Sequence, residues 1–109
     1  MLLAVVGFFS TTKLGTTMDF IKSMTNTSVS VLSATSTAVL SADSSRTYAV
    51  FSNDSANVIY LSLGPNATSS QGVRLEVNGR YEIDKDNQYI GVVTAIASSS
   101  TSTMMVTYK

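Results

Sequence analysis

From Ser28 to the end of the chain, short runs of β-branched and aromatic residues alternate with clusters of Gly, Asn, Asp, Ser and Pro. Short strands at such regular spacing are the mark of a sandwich or barrel. The runs place strands at residues 29–33, 37–41, 47–52, 58–63, 73–76, 80–84, 89–97 and 103–108. Turn residues separate them at Ala42-Asp43-Ser44-Ser45, Asn53-Asp54-Ser55, Gly64-Pro65-Asn66, Asn78-Gly79 and Asp84-Lys85-Asp86-Asn87. No window holds a sustained helical period, and the single proline, Pro65, falls in a turn, where a sheet protein tolerates it. The expected fold is all-β, an antiparallel β-sandwich of about eight strands, jelly-roll or immunoglobulin-like. Local patterns do not separate those two topologies.

One pair of runs suggests a hairpin. A two-residue Asn78-Gly79 turn would set Val73, Leu75 and Val77 opposite Asp84, Glu82 and Arg80. A three-residue loop, Val77-Asn78-Gly79 with Gly79 left-handed, pairs Leu75 with Tyr81 and Val73 with Ile83 instead. It also sets Glu76 against Arg80 and Arg74 against Glu82 on the outer face, each cross-strand pair contributing about 0.2–1 kcal/mol. The second register is the expectation. Upstream, Val31-Leu32-Ser33-Ala34 recurs as Val39-Leu40-Ser41-Ala42, one repetition that two similar neighbouring strands explain. The tract Ser98-Ser99-Ser100-Thr101-Ser102-Thr103 reads as a solvent-facing loop.

The chain divides into an N-terminal arm or extra strand, residues 1–27, and a sandwich domain, residues 28–109. Within the arm, Met18-Asp19-Phe20-Ile21-Lys22-Ser23-Met24 fits one helical turn or a strand. Met18 and Met24 are alternative starts, Met24 opening the domain directly. The run Leu2-Leu3-Ala4-Val5-Val6-Gly7-Phe8-Phe9 is apolar throughout. It falls well short of the roughly 20 residues that cross a bilayer, and it lacks the positive n-region and cleavage pattern of a signal peptide. An uncharged β-prone run left free in water aggregates. It is therefore expected to be covered, either as a strand of its own sandwich or by another subunit. Leu2, Leu3, Val5, Val6, Phe8 and Phe9 are the expected interface residues.

Composition narrows the function. Charged residues make up 13% of the 109 residues, against a usual quarter or so, and roughly three residues in ten are Ser or Thr. Seven basic residues balance seven acidic ones. The basic residues are scattered, without the stripe that phosphate contacts require, so nucleic acid is not an expected partner. Zero net charge removes self-repulsion and favours association, which suits a homo-oligomeric subunit. With neither Cys nor His in the chain, disulfides, thiolate or imidazole metal sites, Cys nucleophiles and His-based triads are excluded.

The remaining chemistry is sparse. Glu76 and Glu82, each expected beside an Arg, would have lowered pKa values, the wrong direction for a general acid. Asp84-Lys85-Asp86-Asn87 lacks the glycine and closing Glu of a calcium loop and reads as a plain turn. A serine nucleophile would have to use a Lys or an N-terminal amine as base, and there is no Gly-x-Ser-x-Gly elbow. Asn26-Thr27-Ser28, Asn53-Asp54-Ser55 and Asn66-Ala67-Thr68 match the glycosylation sequon, which a Ser/Thr-rich chain produces by chance. Phe8, Phe9, Phe20, Tyr48, Phe51, Tyr60, Tyr81, Tyr89 and Tyr108 are expected mainly in the core, with hydroxyls reaching its rim. No enzyme activity, cofactor or metal is expected.

Over residues 28–109 the order of segments resembles small β-sandwich proteins encoded among the virion structural genes of tailed bacteriophages. The likeness runs through Ser45-Arg46-Thr47-Tyr48-Ala49-Val50-Phe51-Ser52-Asn53 and Val58-Ile59-Tyr60-Leu61-Ser62-Leu63-Gly64. It continues in Gly72-Val73-Arg74-Leu75, Tyr81-Glu82 and Tyr89-Ile90-Gly91-Val92-Val93-Thr94-Ala95-Ile96-Ala97. The resemblance implies a head-decoration, capsid-stabilising or spike-type role, although such domains also occur on tails. Its partners would be capsid or other virion subunits, and its location the capsid surface. The alternative expectation is a receptor- or glycan-binding tip domain of the virion or tail, marked by exposed aromatic or acidic clusters in loops 64–72 or 84–88. No membrane span is expected.

Overall fold

The structure, a computed structural model, describes residues 23–109. Eight strands follow in chain order: β1 (Thr25–Val31), β2 (Thr37–Leu40), β3 (Ala49–Asn53), β4 (Ile59–Ser62), β5 (Val73–Leu75), β6 (Arg80–Ile83), β7 (Val93–Ala97) and β8 (Ser102–Tyr108). All pairings are antiparallel, and they build two four-stranded sheets ordered β1-β8-β3-β6 and β2-β7-β4-β5. The chain is an all-β sandwich. Its pairs β1·β8, β2·β7, β3·β6 and β4·β5 nest one inside the next, as in one long hairpin. Rolling that hairpin up adds β3·β8 and β4·β7 and closes each sheet. Two interleaved Greek keys of this kind make a jelly roll, so the strand order decides what local patterns left open.

The core lies between the sheets. Val31, Ala49, Phe51, Ile83, Met104 and Val106 enter from the first sheet, and Ile59, Leu61, Leu75, Val93, Ala95 and Ala97 from the second. In the first sheet inward positions alternate with outward ones, the period of a half-buried strand. Strand β7 breaks that rule, being buried at all five positions. The connection after β4 accounts for this. It returns over the outer face of the second sheet, where Ala67 packs with Tyr60, Ile96 and Val58. Hydrogen bonds from Ala67 N–H to Ser36 Oγ (2.8 Å) and from Thr94 Oγ1 to the Gly64 carbonyl (2.9 Å) fasten it. Gly72 ends this connection at φ +89°, with Leu61's carbonyl oxygen 2.2 Å from where a Cβ would sit. Only glycine fits that close approach.

The expected hairpin of residues 73–84 does not form. β5 pairs with β4 and β6 with β3, so the two strands lie in opposite sheets. Leu75 and Ile83 do share the core, but across the sandwich and not side by side. The left-handed residue of the turn is Asn78 (φ 65°), not Gly79, and Gly79 N–H closes onto the Glu76 carbonyl at 2.7 Å, the pattern of a type II turn. β3 draws this corner across. Asn53 N–H donates to the Gly79 carbonyl, and Asn78 N–H to the Asn53 carbonyl. The Asn53 side chain, 1% exposed, donates through Nδ2 to the carbonyls of Leu75, Glu76 and Asn57. The segment 89–92, expected as the start of a strand, is instead anchored loop ahead of β7.

Candidate functional site

The expected charge pairs across residues 74–82 are absent. Arg74 bonds Glu76 on its own strand's extension, donates to Tyr60 Oη at 2.8 Å, and stands 5.8 Å from that ring's centroid. Glu82 accepts the Tyr48 hydroxyl. That bond holds the Tyr48 phenol above its ordinary pKa, and burial and Glu82's charge act in the same direction. Asp43 accepts both the Ser45 hydroxyl (2.7 Å) and the Ser45 N–H (2.9 Å). These bonds, and after them Arg46's charge, hold its carboxyl below the usual carboxylate value. A carboxylate so depressed is a poor base for activating the serine beside it. In the 84–87 turn, Asp84 caps Asp86 N–H and Asn87 Oδ1 accepts Asp84 N–H, each at 2.8 Å, so these oxygens hold the turn together. Among the described residues no group of three or more His, Cys, Asp or Glu is placed to hold a metal ion.

Among the described cations Arg46 is the exception. It is 1% exposed and makes no ion pair. Its guanidinium donates to the carbonyls of Tyr89 (2.8 Å), Gly91 (3.2 Å) and Ser41, while Nε has no partner. Gln88 Nε2 donates back to Arg46's own carbonyl at 2.7 Å, and Asp43 N–H to that of Ile90 at 2.8 Å. The side chain is thus a clamp between the β2–β3 connection and the segment leading into β7. In the sequence it is one of seven scattered basic residues. The adjoining Asp43-Ser44-Ser45 turn gave no sign of its burial.

Beside this clamp, a cleft of about 300 Å³ opens between the two sheets. Thr27 of β1, Ala38, Val39 and Leu40 of β2, the segment 41–43, Arg46 and Tyr108 of β8 line it. Next to it the outward face of the first sheet carries Asn26, Ser28 and Ser30 on β1, Thr103, Met105 and Thr107 on β8, and Val50 and Ser52 on β3. None of these is charged. Only β6, at the far side, adds charge with Arg80 and Glu82. The alternation Thr-Asn-Thr-Ser-Val-Ser-Val in β1 was a readable signal for this face, but sequence reading began the strand at residue 29.

Of the aromatic residues, Phe51 and Tyr60 are buried and Tyr48, Tyr81, Tyr89 and Tyr108 half-buried. The sequon Asn53 points inward, its amide committed to three carbonyls. No helix among the described residues is long and apolar enough to cross a membrane. The expected interface residues Leu2, Leu3, Val5, Val6, Phe8 and Phe9, and Phe20 with them, lie outside the described residues. Comparison with protein-family models, curated proteins and solved structures found no match for the chain.

Proposed function

We propose that the chain is a non-enzymatic structural subunit of a virus particle, one that coats or cements the capsid. The observation that carries this reading is the strand order β1-β8-β3-β6 against β2-β7-β4-β5, the jelly roll that recurs in viral capsid domains. The fold supports this by architectural analogy, and surface chemistry adds to it. An uncharged Ser/Thr face and an apolar first segment suit lateral contact with neighbouring subunits, and repetition over a symmetric shell multiplies weak contacts. Among the described residues, Asp43 and Asp84 bond within turns, Arg46 clamps two segments, and Arg74, Glu76 and Glu82 pair beside strands. Lectin domains share the fold, but a sugar site wants an exposed aromatic platform, and no described aromatic is fully exposed.

The test is direct. Purified full-length protein, added to particles that lack it, should bind in a fixed number of copies per particle and raise their resistance to heat or osmotic shock. Protein that binds a glycan or receptor at micromolar concentration while ignoring particles would overturn the proposal.

A further inference from the structure

Each sheet has two outer strands, and three of these four edges carry a recognised safeguard against pairing with a further strand. β2 has four residues and a register break between Ala38 and Leu40. β5 has three residues, with Arg74 at its centre. β6 has four, with exposed Arg80 and Glu82. β1 has none of these. It runs seven residues, pairs with β8 in unbroken register from Thr25↔Tyr108 to Val31↔Ser102, and contains no charge and no proline. Its outer edge is a template for one more strand.

We infer that this edge, together with the adjoining cleft, receives residues 2–9 of a second copy of the chain as a ninth strand. The inference rests on the reading of the chain as an assembling subunit. Three observations select this occupant. An edge about 23 Å long and one strand spacing of about 4.8 Å wide covers far less than the roughly 800 Å² per partner of a stable interface, so edge-to-edge pairing of two β1 strands is too small. An arriving segment must bring apolar side chains, and residues 2–9 are apolar at every position without a charge. One alternate set would cover Val39 and Leu40 in the cleft, and the other would lie beside the uncharged outer face of β1.

The third observation is where the chain leaves. Residue 23 leads into β1 at the end where Thr25 pairs with Tyr108, and Thr27 and Tyr108 both line the cleft. The 13 residues from 10 to 22 are many more than the two to five of a hairpin between neighbouring strands. Extended, they reach about 43 Å, enough to cross to a neighbouring molecule. Arm exchange of this head-to-tail kind builds a ring where the rotation closes and an open filament where it does not.

The chain lacks cysteine, so single introduced thiols report on proximity. Full-length chains carrying Val5→Cys or Val6→Cys are mixed with full-length chains carrying Asn26→Cys, Thr27→Cys, Ser28→Cys or Val29→Cys, and oxidised. A mixed disulfide dimer should form with at least one β1 position, since bridging needs Cα atoms within about 7 Å. It should not form with Thr68→Cys, on the exposed connection over the other sheet. Adding Leu3→Asp and Phe8→Asp to the donor should lower the yield at least about tenfold, the factor that 1.4 kcal/mol of lost affinity gives. No mixed dimer at any β1 position, equal yield with Thr68→Cys, or closure only within a single chain carrying both thiols would each overturn the inference. A monomer that still coats particles would overturn it and leave the proposed function standing.

Discussion

Replacing Arg46 tests the view that a buried guanidinium, bonded to carbonyls and not to a carboxylate, holds one end of the sandwich together. The clamp makes three charge-assisted bonds, to the carbonyls of Ser41, Tyr89 and Gly91. Such bonds are worth about 1.5–3 kcal/mol each. Against them stands the several kcal/mol that desolvating an unpaired cation costs, and Nε adds an unsatisfied donor. The two large terms nearly offset. Arg46→Met keeps the volume of the stem and removes both, so its net cost should be about 1–3 kcal/mol, from carbonyls left without donors. Arg46→Ala also loses the packing of three methylenes, about 0.8 kcal/mol each, and should cost about 3–5 kcal/mol. Urea unfolding followed by far-UV circular dichroism measures both variants. In a domain this small each kcal/mol should lower Tm by about 4–8 °C. Amide exchange should locate the damage at Asp43 N–H, whose bond to the Ile90 carbonyl spans the same two segments. If Arg46→Met matches the parent in stability and in Asp43 exchange, the carbonyl bonds contribute nothing and the reasoning fails.

Gly72→Ala should lose at least about 2 kcal/mol, because φ is +89° and the new Cβ would meet Leu61's backbone oxygen at 2.2 Å. Gly64→Ala, whose Cβ would meet only Ser62 Oγ at 3.5 Å, should stay within about 0.5 kcal/mol of the parent in the same urea titration. The Tyr48 phenol is raised above its ordinary 10.0 by its bond to Glu82, so its stabilisation is full below pH 10 and is lost as pH rises through the higher folded value. Above pH 10 the parent's urea midpoint should therefore fall more steeply than that of Tyr48→Phe, and parallel profiles would refute the coupling.

The strands were legible because each runs with a period of two and ends on turn residues that act locally. Each of the eight expected segments overlaps one strand, although β1 begins four residues before its expected start and β7 begins four residues after. Pairing was less legible. The alternation Val73, Leu75, Tyr81, Ile83 satisfies a flat hairpin as well as it satisfies two strands facing each other across a core. What separates these is Asn53, more than 20 residues upstream, whose backbone and amide fasten the turn to β3 and the end of β5. No neighbour-based rule looks that far. Arg46 was illegible for a similar reason. Two of its three partners are carbonyls 43 and 45 residues downstream, and carbonyls carry no sequence identity.

The candidate surface turns on the same distinction. Whether a strand is an edge depends on which partners the topology gives it, so the residues of β1 acquire their meaning only once β8 occupies one side and nothing described occupies the other. Charge is then informative by its placement. Arg74, Arg80 and Glu82 sit on β5 and β6, where an open sheet margin would otherwise invite a foreign strand. Chance scattering of so few charges could spare any one strand. Sparing the longest edge strand, the first of the sandwich in chain order, is what an acceptor requires. A safeguard there would exclude the segment the chain itself supplies.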